Sequence, residues 1–379
     1  MNSDDYVPSP EQELEEQTRD DSTNEISNLS KKGYLYLKEN RINEAIECFA
    51  SILAVAENNN YALVGMGDAN RKQGIFRNAV MFYQRCLVYH PGNNYALFGL
   101  ADCYKALSQY HKAIEIWEQY LRHDDKNITV LTRVADAYRK VRDYNNSKII
   151  YQRVLDMDPT NPYAIIGLGH LFYDFKEYQG ALSYWERMLK EDIKNVDIRV
   201  LTSIGNCHRK LKTFAEGLSF FEMALTRENN NFYALFGLAD CYRGLFQQGR
   251  SLEYWNRILD QDPRNKVILT RAGDACRTLG DFDRAVEYYQ RALNVEFDIH
   301  AVLGLAVVDK LRGKFHEAID SLERLIQQDP RSYRLYLELA DCRLTKGEKL
   351  EAVEVLEEFQ KQGIRSNAVI EMLEKLKAS

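Results

Sequence analysis

The chain has 379 residues, 45% hydrophobic and 28% charged, with a formal net charge of −6. No apolar run approaches the ~18 residues a membrane-spanning helix needs, so a membrane segment is excluded from the expectations. An isoelectric point of about 5.8 argues against nucleic acid, whose phosphates call for a basic surplus.

The first 25 residues stand apart. They carry nine acids and one base, a net −8 that leaves the remainder about +2. With few large apolar groups they are expected to be disordered. They lack a basic start followed by an apolar core, so no secretory signal is expected. Their charge makes them a candidate ligand for the chain's own basic row, described below.

From residue 26 to residue 363 the chain repeats with a period near 34. A small residue marks time at Ala45, Ala79, Ala113, Ser147, Ala181, Gly217, Ser251, Ala285, Ala318 and Ala352. Twelve positions earlier each unit has Gly or Ala, as at Gly33, Gly67, Ala101 and Ala135. Glycine inside a helix is unfavourable, so two helices are expected to approach closely there. Four positions after the anchor stand large residues, among them Phe49, Tyr83, Trp117, Tyr151, Trp185, Phe221, Trp255 and Tyr289. Apolar spacings of three and four predict helices, and Gly, Asp-Pro and Pro-Gly steps predict turns between them. Each unit therefore reads helix, turn, helix, turn.

Units alternate in type. Those with Tyr95, Tyr163 and Tyr233 carry the three Trp residues, and they alternate with units opening Leu131-Thr-Arg133, Leu201-Thr-Ser203 and Leu269-Thr-Arg271. The segment 95–104, YALFGLADCY, recurs unchanged at 233–242. A block of two units has been duplicated. After the last unit, residues 364–379 predict one more amphipathic helix that caps the array.

The pattern Leu97, Leu100-Ala101, Tyr104, Tyr110-x-x-Ala113, Trp117 resembles the tetratricopeptide repeat. The resemblance implies an all-α fold, a right-handed superhelical solenoid of about ten repeats whose first helices line a concave side. It also implies a non-enzymatic scaffold or adaptor that binds an extended or helical peptide. A self-assembling structural scaffold is the alternative, with a nucleic-acid-binding helical repeat behind it. No phosphate loop, GxSxG or HExxH occurs, so no catalysis, metal or cofactor is expected.

Counting so that Tyr61, Tyr95, Tyr163 and Tyr233 hold position 2, the outer face of each first helix includes positions 5, 9 and 12. Position 5 supplies Phe98 and Phe236. Positions 9 and 12 supply Asp68 with Arg71, Asp102 with Lys105, Asp136 with Arg139, Asp240 with Arg243 and Asp274 with Arg277, together with Arg209. Arg133 and Arg271 at position 6 tip the row basic. These residues form the candidate peptide groove, and Arg suits carboxylates and backbone carbonyls. The expected partner is another protein with an acidic or mixed-charge segment. The subclass that clamps the C-terminal carboxylate of chaperones has Lys at position 5, where this chain never has it.

Cys103, Cys207, Cys241 and Cys342 share one repeat position where other units have Ala. They read as core residues. The odd total of seven and the missing signal predict a reducing, cytoplasmic setting.

Overall fold

The computed structural model describes residues 10–192 and 196–378, except the side chains of 10–23 and 190–192. Two compact units divide the chain at Glu191 and Asp192. The first holds α1 Pro10–Lys38, α2 Ile42–Val55, α3 Asn60–Lys72, α4 Phe76–Tyr89, α5 Asn94–Ala106, α6 Tyr110–Leu121, α7 Ile128–Lys140, α8 Tyr144–Met157, α9 Pro162–Asp174 and nearly all of α10 Tyr178–Asp192. The second holds α11 Ile198–Leu211, α12 Phe214–Arg227, α13 Phe232–Gly244, α14 Gln248–Gln261, α15 Lys266–Thr278, α16 Phe282–Val295, α17 Ile299–Leu311, α18 Phe315–Gln328, α19 Tyr333–Lys346, α20 Lys349–Lys361 and α21 Asn367–Ala378. The described residues are helices and turns throughout. Each helix packs mainly on its neighbours in sequence, which is the all-α repeat solenoid the period implied. No described helix is long and apolar enough to cross a membrane.

Helix starts and stops follow local chemistry. First helices open on an Asn cap: Asn59, Asn93, Asn127, Asn161, Asn231 and Asn265 each accept a hydrogen bond from the backbone N–H three residues on. They close on a residue with positive φ. At Gly74 the next residue, Ile75, donates back to Asn70 O at 2.9 Å, which ties off an orphan carbonyl. Ser108, Arg142, Lys176, Lys212 and Phe246 adopt the same left-handed turn without glycine's freedom. The turn geometry is held by the repeat rather than by one residue type.

The small residues do two jobs. Ser147 Oγ donates to Ala135 O, and Ser251 Oγ to Ala239 O, both at 2.8 Å. The anchor and the residue twelve before it therefore touch, through backbone. The glycines also cradle the large rings. A Cβ at Gly67 or at Gly99 would lie 2.5 or 2.3 Å from the Tyr83 ring, one glycine from the same hairpin and one from the next. Gly205 and Gly237 hold Phe221 in the same way, and Gly273 and Gly304 hold Tyr289. Each ring is thus locked between successive first helices. Trp117, Trp185 and Trp255 are fully buried, as are all seven cysteines apart from slight exposure at Cys48.

The N-terminal segment differs from expectation. Pro10 to Glu25, expected as a disordered tail, lies within the bounds of α1. Proline suits a first helical position, and the following Glu and Gln residues are good helix formers whose acids favour a helix N-terminus. Residues 1–9 lie outside the described residues. At the other end, α21 buries Val369 and Leu373 against a cluster containing Tyr336 and Phe359.

Candidate functional site

Within each of the two units, repeat spacing brings positions 2, 5, 9 and 12 of successive first helices side by side. The row divides into two chemistries set by the buried ring below it. At two of the Tyr rings the hydroxyl serves the position-9 carboxylate: Tyr83 Oη donates to Asp68, and Tyr289 Oη to Asp274, each at 2.7 Å, whereas Tyr151 meets Arg139 instead. Phe221 has no hydroxyl, and position 9 there is the neutral Asn206. Where the ring is Trp, the carboxylate turns to arginines of both neighbouring repeats. Asp102 lies 3.6 Å from Arg71 and 2.6 Å from Arg133. Asp240 lies 2.7 Å from Arg209 and 3.5 Å from Arg271.

The position-6 arginines are explained by this alternation. Arg133 reaches back to Asp102 and lies over the Phe98 ring, 5.0 Å from its centroid. Arg271 reaches back to Asp240 and lies 5.4 Å from the Phe236 centroid. Ser203 takes the same place in the unit that follows Ile166 and His170, where neither the Phe nor the Asp is present. Such stacking and pairing fix the guanidinium planes.

In the first unit the chain of pairs continues. Arg71 pairs with Asp68 at 3.0 Å, Lys105 with Asp136 at 3.7 Å, and Arg139 with both Asp136 and Asp174. In the second, Arg243 bonds its own Asp240 at 2.7 Å, Arg209 bonds Asn206, and Arg277 lies 3.5 Å from Asp274. Charges expected to face a ligand are thus extensively paired with one another along the stack. The position-6 arginines answer carboxylates of the preceding repeat.

Electrostatics follow the partners. Burial pushes the Asp102 carboxyl up, only partly offset by Arg133 and Arg71. Burial works the same way on Asp240, but hydrogen bonds from Arg243 and Arg209 outweigh it and hold that carboxyl below the usual range. His170 replaces Asp at position 9 of α9, against Trp185, and burial with nearby Arg139 lowers it to about 4. Burial raises the thiols of Cys103, Cys207 and Cys241 to about 12, which leaves them protonated at neutral pH. Among the described residues no group of His, Cys, Asp and Glu could hold a metal ion.

Position 2 behaves differently. Tyr61, Tyr95, Tyr163 and Tyr233 are 61%, 80%, 73% and 67% exposed. In the first unit Tyr61 and Tyr95 border a cleft of about 770 Å³ between α1, α3 and α5, with Tyr34, Lys31, Asp68 and Asn94 in its lining. Tyr34 Oη donates to Tyr61 O at 3.0 Å and fixes one wall. The Asn94 side-chain oxygen is buried and accepts no hydrogen bond among the described residues. Tyr34, Lys31 and Asn94 are additions to the sequence-derived set. The Asn-Asn-Tyr steps at 59–61 and 93–95 were the available signal: the first Asn caps the helix, while of the second ones Asn60 accepts from Tyr61 N at 3.0 Å and Asn94 has no such bond.

Tetratricopeptide repeat models match residues 27–59, 128–161 and 268–298, then 61–93, 95–126 and 233–265, and finally 311–363. No curated protein sequence matches the chain. Among solved structures the chain is similar to a tetratricopeptide repeat protein from Parabacteroides merdae ATCC 43184, with a TM-score of 0.54 and 15% identity over 66% of this chain and 99% of the other. It is also similar to yeast Tom70, at 0.41 and 15% over 93% and 96% of the two chains. For the MamA protein the values are 0.40 and 22% over 45% and 92%. The first likeness is one of fold, and the other two are looser. With seven segments matched in step with the sequence period, the chain belongs to the tetratricopeptide repeat family.

Proposed function

We propose that this protein is a non-enzymatic scaffold that binds an extended segment of another protein across its first helices, with one docking point in the cleft between α1, α3 and α5. Protein-interaction scaffolds are what this repeat family builds. The observation that carries the finer reading is the pairing of two exposed tyrosines with an unused buried acceptor. Tyr61 and Tyr95 present rigid, amphipathic rings that lose little entropy on contact. Asn94 Oδ1 is a desolvated acceptor, and a peptide N–H is its natural complement. Lys31 and Asp68 at the margins favour a segment of mixed charge.

The test is affinity capture from the native cell with wild type and with Tyr61→Ser/Tyr95→Ser. Both side chains are exposed, so helicity and thermal unfolding should match wild type. The expected outcome is a partner held by wild type and lost at least tenfold in the double variant, as for removal of two aromatic anchors. Equal retention of every partner would remove the cleft from the proposal.

A further inference from the structure

We propose that Arg209, Arg243 and Arg271 form a receptor site for a carboxylate side chain, Asp or Glu, carried within a peptide that lies along the first helices of the second unit. The site extends the peptide-binding reading to a second subsite of different chemistry, and it rests on that reading.

The argument is one of unequal charge on equal frames. In the first unit Arg71, Lys105, Arg133 and Arg139 meet Asp68, Asp102, Asp136 and Asp174, so four bases face four acids. Around Asp240 the bases are Arg209, Arg243, Arg271 and Arg277, and among the described residues the acids they pair with are Asp240 and Asp274. Two acids are missing, because Asn206 stands where the first copy has Asp68 and Leu311 where it has Asp174, and a charge-neutral change redirects one base. Asn206 removes a carboxylate from position 9, and Arg209 spends its Nε on the neutral amide. Arg243 stands where the first copy has Lys105, and it folds back on Asp240 through Nε at 3.0 Å and Nη2 at 2.7 Å instead of reaching the next repeat.

Asp240 is thereby saturated. It takes Arg209 and Arg243 at 2.7 Å, and Arg271 is left at 3.5 Å. The Arg271 Nε–H is buried and has no hydrogen-bond partner among the described residues. Its guanidinium stays in place because it lies over Phe236 and Trp255, 5.4 and 5.7 Å from their centroids. Arg209 lies over the same Phe236 ring at 5.7 Å. Burial first, and then the nearby charges of Arg243 and Arg209, lower the Arg271 pKa despite Asp240 and Asp274. A second carboxylate would relieve that repulsion. Arg243 and Arg271 are 47% and 33% exposed, so their outer N–H groups can reach it. Fixed, planar donors on an aromatic floor suit a carboxylate better than a mobile ammonium would. Farther along the unit the sign reverses: Lys310 faces both Glu338 and Asp341, at 3.0 and 2.6 Å. The acidic residue of the ligand is therefore local, with no run of acids needed.

The experiment titrates the full chain with a short fluorescein-labelled peptide of alternating Glu and Ala, and with its Gln counterpart, by fluorescence polarisation. The expected result is salt-sensitive binding of the Glu peptide alone, weakened about tenfold or more by Arg243→Gln and by Arg271→Gln. Lys126→Gln, in the exposed turn before α7 and outside the groove, should leave it unchanged. Arg243 is the more exposed of the two, so its variant remains informative if Arg271→Gln loosens the Phe236 packing. Equal binding of the Gln peptide, undiminished binding by Arg243→Gln, or no binding of the Glu peptide to wild type would each overturn the site. The Tyr61/Tyr95 capture experiment separates the two ideas: partners lost there with no Glu-peptide binding here would leave the scaffold standing and this subsite refuted.

Discussion

Helices α5 and α13 carry the same ten residues, 95–104 and 233–242, in two different settings. In the first, the Gly99 face receives Tyr83 and the carboxylate of Asp102 is underserved by its arginines. In the second, Gly237 receives Phe221 and the carboxylate of Asp240 is oversupplied. An identical local sequence thus gives an equivalent helix whose glycine receives a ring at the same place, while its electrostatic role is assigned by residues one repeat away. Backbone and core are set by what lies within a repeat. The charged row is set between repeats.

The largest expected effect tests the shared part of the comparison. A Cβ at Gly237 would stand 2.2 Å from Phe221, and one at Gly99 would stand 2.3 Å from Tyr83. Both rings are fully buried and have nowhere to retreat. Gly237→Ala should cost about 3 kcal/mol, the upper end of overpacking, even after alanine's better helix propensity is counted. Gly99→Ala should cost about 1 kcal/mol more, because displacing Tyr83 also disturbs its hydrogen bonds to Asp68 and Arg71. Repeat arrays need not unfold in two states, so the readout is hydrogen exchange resolved to each helix. Equal losses at the two sites would mean that the Tyr83 hydroxyl contributes nothing to stability.

The middle effect tests the part that differs. Asp240→Asn should destabilise the second unit by about 2 kcal/mol at neutral pH, and Asp102→Asn the first by less than about 1 kcal/mol. The sign with pH follows from the shifts. Asp240 is held below its unfolded value, so its contribution is present above that value and is lost as pH falls through the folded pKa. Asp102 is raised, so the folded state holds its proton more tightly than the unfolded chain. Its contribution is greatest in acid and declines as pH rises from the unfolded to the folded pKa. Acidification should therefore shrink the deficit of Asp240→Asn and enlarge that of Asp102→Asn. Parallel pH profiles for the two variants would show that the copies are electrostatically equivalent after all.

These contrasts also explain what could be read from the chain alone. The helices were legible because size and spacing repeat: Ala113 with Trp117, or Gly33 with Phe49, state their packing without a neighbour. The row itself was legible as positions, since Asp102 and Asp240 fall on the same face by count. Its partners were not. Whether Lys105 reaches forward to Asp136 or Arg243 folds back on Asp240 depends on side-chain geometry across a stack, at separations near 31 residues. Tyr34 and Asn94 were missed for a related reason. A helix cap and a groove acceptor are both written as Asn, and only the stacked helices show which one is already in use.

The smallest effect is a control on the claim that local structure is equivalent. Asn93 accepts from Ala96 N at 2.9 Å and Asn231 from Ala234 N at 3.0 Å, so each satisfies one orphan donor at the start of its copy. Replacing either by Ala should cost about 1 kcal/mol in the exchange protection of α5 or α13. Agreement within about 0.5 kcal/mol is expected, the level at which distant sites behave independently. Asn231 has a second bond, from Nδ2 to Glu228 at 2.9 Å, but it is exposed and should add little. A clearly larger loss at Asn93 would point to coupling between the cap and the neighbouring Tyr61/Tyr95 cleft, because Asn93 borders that cleft. Helix formation and ligand-face geometry would then be one property in the first unit and two in the second.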